Sequence, residues 1–164
     1  DNIAQREHEL VEYIFTRLEN IPNLNLLAGQ HRHRLGVISF YIDDLHYNLG
    51  VKILNDRFGI QTRGGCSCAG TYGHYLLHVD QETSRDLICS ITSGDLIRKP
   101  GWIRMSIHPT TTDEEIRFVC EAIVALAENH LEWSKEYQYD GKTNNFRHVN
   151  EPTEIAEKVK GWFE

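Results

Sequence analysis

The chain has 164 residues and a mass of 19.0 kDa, which suits one domain with room for a small extension. Its 40% of hydrophobic residues predict a folded core rather than disorder. The 17 basic residues against 24 acidic ones, a net charge of -7, argue against nucleic-acid or anionic-membrane partners, which need a basic face. No apolar run reaches the roughly 18 residues of a membrane span.

The first part of the chain alternates helical and strand patterns. The predicted segments are a helix over 3–20, strands over 24–27 and 35–42, a helix over 45–58 and a strand over 60–63. Asp43 and Asp44 are carboxylates at the predicted start of the second helix. Gly59 is placed to end that helix in the left-handed conformation.

The second part continues in the same way. The predicted segments are helices over 74–79 and 82–93, a strand over 102–108, a helix over 112–132 and a last amphipathic helix over 152–163. Thr112 and Glu115 have the spacing of a capping box. The polar and aromatic residues 134–150 are predicted to form a loop. The helical pattern at the first residues, without an initiator Met, predicts a piece of a longer protein.

This order of elements predicts an α+β fold. We expect a small mixed or antiparallel sheet of three to four strands, with the helices packed mainly on one face. Residues 1–133 are predicted to form the main domain, and residues 134–164 a C-terminal extension with a loop and an amphipathic helix.

A glycine-rich loop follows the predicted strand over 60–63. It runs Arg63, Gly64, Gly65, Cys66, Ser67, Cys68, Ala69 and Gly70. A thiol on such a loop, near an arginine, is a candidate nucleophile, and the arginine is a candidate ligand for a carboxylate. The alternative interpretation is a tight turn with two small cysteines packed beneath it.

A metal site is a further interpretation of this loop. It would combine Cys66 and Cys68 with nearby histidines, namely His74, His78, His31 and His33. Structural zinc sites usually use a Cys-x2-Cys pair rather than Cys-x-Cys, so no metal is predicted.

The four cysteines do not resemble a disulfide framework in a chain this long, which favours a reducing, cytoplasmic location. Cys89 and Cys120 fall on apolar helical stripes and are predicted to be buried. Arg104 lies in the middle of the strand over 102–108, and alternation places it opposite the apolar Ile103 and Met105. The face of the strand that carries Arg104 is either exposed to solvent or lines a site, where Arg104 would be a second cationic group.

Several segments in order resemble the small C-terminal domain of the class V aminotransferase family. These are pyridoxal-phosphate enzymes of fold type I that include cysteine desulfurases and selenocysteine lyases. The resemblance covers residues 1–130. The matching segments are the leading helix, the strand Val37–Phe40, the helix ending at Leu54–Ile60, the loop Arg63–Ala69, the strand Ile103–Ser106 and the helix after Thr112–Glu115.

The resemblance implies roles for residues of the loop and of the later strand. Arg63 would bind the substrate α-carboxylate, and Cys68, five residues later and followed by Ala69, would be the nucleophile that takes sulfur from the substrate. Arg104 matches a family arginine near the active site. The glycines Gly64, Gly65 and Gly70 would give the loop its reach. The implied partners are an amino-acid substrate, the chain's own N-terminal pyridoxal-phosphate domain and a second copy in a homodimer.

The sequence departs from the family at four points. Ser67 stands where lyase-type loops usually carry His, and Cys66 is an extra thiol. None of the lysines has the context of the lysine that binds pyridoxal 5'-phosphate, so we expect the cofactor in the full-length parent and none in this chain alone, which would then be inactive. The phosphate-binding signature is missing as well.

Three alternatives stay open. The parent could be an aminotransferase in which Cys68 is not catalytic. The chain could instead be a non-catalytic interaction domain that contacts a partner through exposed C-terminal aromatic residues. These residues are Tyr137, Tyr139, Phe146, Trp162 and Phe163. The third alternative is a small metal-binding protein that uses Cys66 and Cys68.

Overall fold

The structure, a computed structural model, describes residues 2–65, 70–77 and 79–150. The helices are α1 (Asn2–Leu18), α2 (Tyr47–Phe58), α3 (Gly70–Leu76), α4 (Gln81–Thr92) and α5 (Asp113–Trp133), followed by a 3-10 turn at Ser134–Glu136. The strands are β1 (Leu24–Leu26), β2 (Val37–Ile42), β3 (Arg63–Gly65), β4 (Trp102–Ser106), β5 (Tyr137–Asp140) and β6 (Asn145–His148).

A four-stranded sheet in the order β1-β2-β4-β3 forms the centre of the fold, and each neighbouring pair is antiparallel. Alternate residues of β2 and β4, such as Phe40 and Ile103, are buried on one face. They share one hydrophobic cluster with the apolar faces of α1, α2 and α5. The predicted α+β class, with a small antiparallel sheet covered by helices, is therefore confirmed.

Helix α2 begins later than the sequence predicts. Asp44 adopts a left-handed conformation with φ 60° and, like Asp43, precedes the cap residue, which is His46. The His46 Nδ1 accepts a hydrogen bond from the Asn48 N–H at 3.1 Å, and burial lowers the pKa of His46, which favours the neutral ring that this bond needs. At the other end, Gly59 takes the predicted left-handed conformation with φ 68°.

Helix α5 begins with the predicted capping box. The Thr112 side chain accepts from the Glu115 N–H at 3.2 Å, and the Glu115 carboxylate accepts from the Thr112 N–H at 2.8 Å. Although α5 has 21 residues, no helix in the described ranges combines the length and the apolar character needed to cross a bilayer.

The prediction of a loop over 134–150 is wrong, because this segment contains the antiparallel hairpin of β5 and β6. Tyr137 is only 8% exposed and belongs to the main core, and Tyr139 and Phe146 are half-buried. These three aromatic side chains are thus not the exposed contact surface that the interaction-domain hypothesis needs. The last predicted helix, with Trp162 and Phe163, lies outside the described residues.

Candidate functional site

Two arginines face each other across neighbouring strands of the sheet. Arg63 in β3 is paired in register with Arg104 in β4, and Arg104 is paired on its other side with Ser39 in β2. Residues directly opposite in neighbouring strands project to the same face. Because Ile103 and Met105 are buried in the core, this row of two guanidinium groups and one hydroxyl lies on the face directed away from α1, α2 and α5.

The electrostatics of this row favour a bound anion. Like charges directly opposite one another destabilise a strand pair unless a counter-charge lies between them. The Nε of Arg104 is buried, and among the described residues it has no hydrogen-bond partner. Arg63 is exposed and forms no ion pair within the same set of residues. A carboxylate is the small anion that guanidinium groups bind with two parallel hydrogen bonds.

The glycines after Arg63 let helix α2 approach the strand closely. A Cβ added to Gly64 would lie 2.9 Å from the Tyr47 ring and 2.9 Å from the Asn48 Oδ1, closer than real Cβ contacts. Gly65 has a φ of 116°, which side-chain-bearing residues rarely adopt. Sequence reasoning did not single out Tyr47 and Asn48, since by pattern they belong to the first turn of an ordinary helix.

The proposed nucleophile is not among the residues whose structure is described. Cys66, Ser67 and Cys68 all lie in the undescribed segment 66–69, and the described chain resumes at Gly70, the first residue of α3. The Arg63-to-Cys68 spacing therefore remains a sequence-based prediction.

The two other cysteines differ from each other. Cys120 is buried in the core, as predicted, and burial raises the pKa of its thiol to about 11, which leaves it protonated and inert. Cys89 is exposed, so the prediction of its burial is wrong. The physical reason is that α4 buries only Leu87, and its apolar stripe does not reach the core.

The histidines of the described segments do not assemble a metal site. His31 and His33 are both exposed. No group of three or more histidine, cysteine or acidic residues with suitable spacing for a metal occurs within 2–65, 70–77 and 79–150. His78 and the side chain of His74, like Cys66 and Cys68, fall outside what the structure describes.

The strands of the central sheet and two of the described lysines bear on where a pyridoxal-phosphate amine could come from. None of the four strands of the sheet carries a lysine. Lys52 pairs with Asp56 on its own helix, and Lys135 pairs with Glu132. The strands that carry the two arginines therefore present guanidinium groups and no amine.

Comparisons with known proteins identify the family of the chain. The aminotransferase class-V family model matches residues 1–119. Cysteine desulfurases from Escherichia coli (strain K12 / DH10B) and Escherichia fergusonii are each 40% identical over 70 residues, 42% of this chain and 16% of theirs. The match thus spans only a small part of these curated relatives.

A solved structure is similar in fold. The apo structure of cysteine desulfurase from Thermococcus onnurineus NA1 aligns with a TM-score of 0.53 at 22% sequence identity, covering 78% of this chain and 26% of that chain. Since the family model matches well over half of the sequence, the chain belongs to the aminotransferase class-V family.

Proposed function

We propose that this chain is the substrate-facing, C-terminal domain of a pyridoxal-phosphate enzyme, and that Arg63 and Arg104 bind the α-carboxylate of an amino-acid substrate. The observation that carries the proposal is the placement of the two guanidinium groups opposite each other, with a buried and unpartnered Nε on Arg104. A carboxylate between them would remove their repulsion and satisfy that donor.

The favoured reaction is cysteine desulfuration. Its support is the similarity to proteins named cysteine desulfurases and the position of Cys68 five residues after Arg63. In this proposal the Cys68 thiolate attacks the substrate sulfur and forms a sulfur–sulfur bond, which leaves a persulfide on Cys68. The carbon–sulfur bond breaks, and its electron pair stays on the substrate carbon. Pyridoxal phosphate, bound elsewhere in the parent, supplies the electron sink. The family resemblance also supports a homodimer and a cytoplasmic location, and it leaves selenocysteine as a second substrate.

A second candidate function is transamination, in which the arginines still hold the carboxylate and Cys68 takes no part. The name of the matching family, aminotransferase class-V, supports it. The two reactions differ in their need for Cys68, and this difference can be measured directly.

The test uses the full-length parent protein with L-cysteine as the substrate. We expect Cys68→Ala to abolish sulfide release, while the matched variant Cys89→Ala, at an exposed position, keeps it. Transamination that survives Cys68→Ala, without sulfide release from the unsubstituted protein, would establish the second candidate instead.

The carboxylate site is tested in the same assay through Arg104→Lys and Arg63→Lys. A lysine keeps the charge but loses the bidentate contact. KM should therefore rise by about 10- to 100-fold, which corresponds to the loss of one hydrogen bond between charged groups. Arg32→Lys is the control, because Arg32 pairs with Glu12 in α1 and with Glu19 just after it. An unchanged KM in both arginine variants would disprove the carboxylate role.

A further inference from the structure

The hairpin of β5 and β6 contacts the first turn of α2, and the same turn packs against β3, the strand that carries Arg63. The hairpin lies beyond residues 1–119, the part that the family model matches. Its turn reaches the beginning of α2, where Tyr47 and Asn48 lie against Gly64. The structure therefore places an element outside the family match next to the candidate site.

The Tyr47 ring is held between two backbone segments of the site. A Cβ on Gly101, just before β4, would lie 2.5 Å from the ring's Cδ1, and a Cβ on Gly64, in β3, would lie 2.9 Å from its Cδ2. Opposite edges of one ring thus contact the strand with Arg63 and the segment that leads into the strand with Arg104. Since Tyr47 is only 6% exposed, its position fixes the spacing of both backbones.

Asn144 in the hairpin turn holds this ring by hydrogen bonds. Its Nδ2 donates to the Tyr47 hydroxyl at 3.1 Å, and its Oδ1 accepts from the Tyr139 hydroxyl at 2.9 Å, which orients the amide. Its backbone carbonyl accepts from the Asn48 Nδ2 at 2.5 Å. Asn144 has a φ of 53°, a conformation that asparagine tolerates better than most residues.

Asn48 links the hairpin turn directly to strand β3. Its Nδ2 bonds to the hairpin, and its Oδ1 is packed against Gly64. A displacement of the hairpin turn would therefore move the Asn48 amide and the Tyr47 ring together. Both groups pack against Gly64, the residue that follows Arg63. Ring contacts of His46 with Phe146 and Tyr139, at 5.2 and 6.0 Å between centroids, hold the hairpin on the same turn.

We propose that Asn144 is a positioning residue for the carboxylate site, acting through Tyr47 and Asn48 on the strand that carries Arg63. This inference rests on the proposed function, because it assigns Asn144 an effect on substrate binding. It predicts a defect in KM rather than in kcat, since carboxylate binding contributes equally to the ground state and the transition state.

The experiment compares three variants of the full-length protein. Asn144→Gly removes both side-chain bonds and relieves the left-handed backbone, so that its effect does not come from strain. Asn144→Asp keeps both bonds, because the Tyr47 and Tyr139 hydroxyls can each donate to a carboxylate oxygen. Asn145→Ala, at the exposed neighbouring residue, is the control.

We expect Asn144→Gly to raise KM for the amino acid by about tenfold with kcat changed less than about twofold. Asn144→Asp and Asn145→Ala should keep KM near that of the unsubstituted protein. Hydrogen exchange should become faster at the backbone amides of residues 63–65 in Asn144→Gly alone. A purely structural role would lower the unfolding midpoint of Asn144→Gly without raising its KM.

Unchanged exchange at residues 63–65 together with an unchanged KM in Asn144→Gly would overturn the inference. If the unsubstituted full-length protein does not act on amino acids, the proposed function fails. In that case the exchange at residues 63–65 alone decides whether Asn144 positions the strand.

Discussion

Tyr47 is the residue at which helix α2, the sheet and the hairpin meet. Its ring fills the space that two glycines leave open, Gly64 in β3 and Gly101 before β4, and its hydroxyl accepts a hydrogen bond from Asn144. Close packing of this kind tolerates little added volume, because neighbouring atoms must move to make room. Gly64 and Gly101 are therefore required because the Tyr47 ring leaves no room for a side chain at either position. Gly65 is required for a different reason, namely its positive φ.

The replacement Gly101→Ala tests this packing. The added methyl group would lie 2.5 Å from the Tyr47 ring, so we expect a loss of about 1–3 kcal/mol in the free energy of unfolding, measured by urea denaturation. Gly29→Ala is the matched control, because a Cβ there meets its nearest atom at an ordinary 3.5 Å and should change stability by less than about 0.5 kcal/mol. Equal midpoints for the two variants would contradict the close contact.

At the scale of elements, α2 and the hairpin are joined by a charged cluster as well as by the asparagines. The Arg57 guanidinium donates to the Glu136 carboxylate at 2.6 Å and lies over the Trp133 ring, 4.5 Å from its centroid. The His148 Nε2 lies 3.2 Å from the same carboxylate. The hydrogen bond from His148, followed by the charge of Arg57, holds the pKa of Glu136 below its usual value.

This lowered pKa predicts a dependence of stability on pH. A carboxyl group whose pKa is lower in the folded state stabilises the fold above its unfolded-state pKa, and this contribution is lost as the pH falls through the folded-state pKa. The thermal midpoint of the unsubstituted chain should therefore exceed that of Glu136→Gln at neutral pH, and the difference should disappear in acid. A difference that stays constant down to acidic pH would show that the charge of Glu136 is not its source.

At the scale of the whole molecule, the hairpin and the sheet share one core. Tyr137 belongs to the same buried cluster as α1, α2 and α5, and its hydroxyl donates to the Asp56 carboxylate at 3.2 Å. The sequence-based boundary between residues 133 and 134 thus lies within a continuously packed region. Residues 134–150 are expected to contribute to the stability of the residues before them.

Two truncations measure this contribution. A chain ending after Trp133 loses the buried Tyr137 ring and should unfold at a lower urea concentration. Its free energy of unfolding should fall by about 1.5–3 kcal/mol or more. A chain ending after Asn150 retains the hairpin and should keep a much higher midpoint than the shorter chain. Equal midpoints for the two would show that residues 1–133 are an independent domain.

Much of the fold could be predicted from periodicity, but the site could not. The apolar stripes of α1 and α5, and the alternation of β4, identify those elements and their buried faces. The register that places Arg63 opposite Arg104 joins segments about forty residues apart, and no local pattern specifies it. Hydropathy does not identify the hairpin, because its strands alternate polar with aromatic rather than apolar residues, although Asp140 and Gly141 supply a turn signal. The pair of carboxylates at Asp43 and Asp44 predicts the start of α2 too early, because the residue that caps the helix is a histidine, His46.

The order of the strands has a consequence for self-association. Among the described residues, β1 and β3 form the two edges of the sheet, and each has only three residues. Exposed sheet edges can template pairing with another chain, and proteins limit this hazard by keeping edge strands short or twisting them away. In β3, the positive φ of Gly65, two residues after Arg63, turns the backbone out of the extended conformation. The candidate anion site can therefore lie at an edge of the sheet without offering a long surface for aggregation.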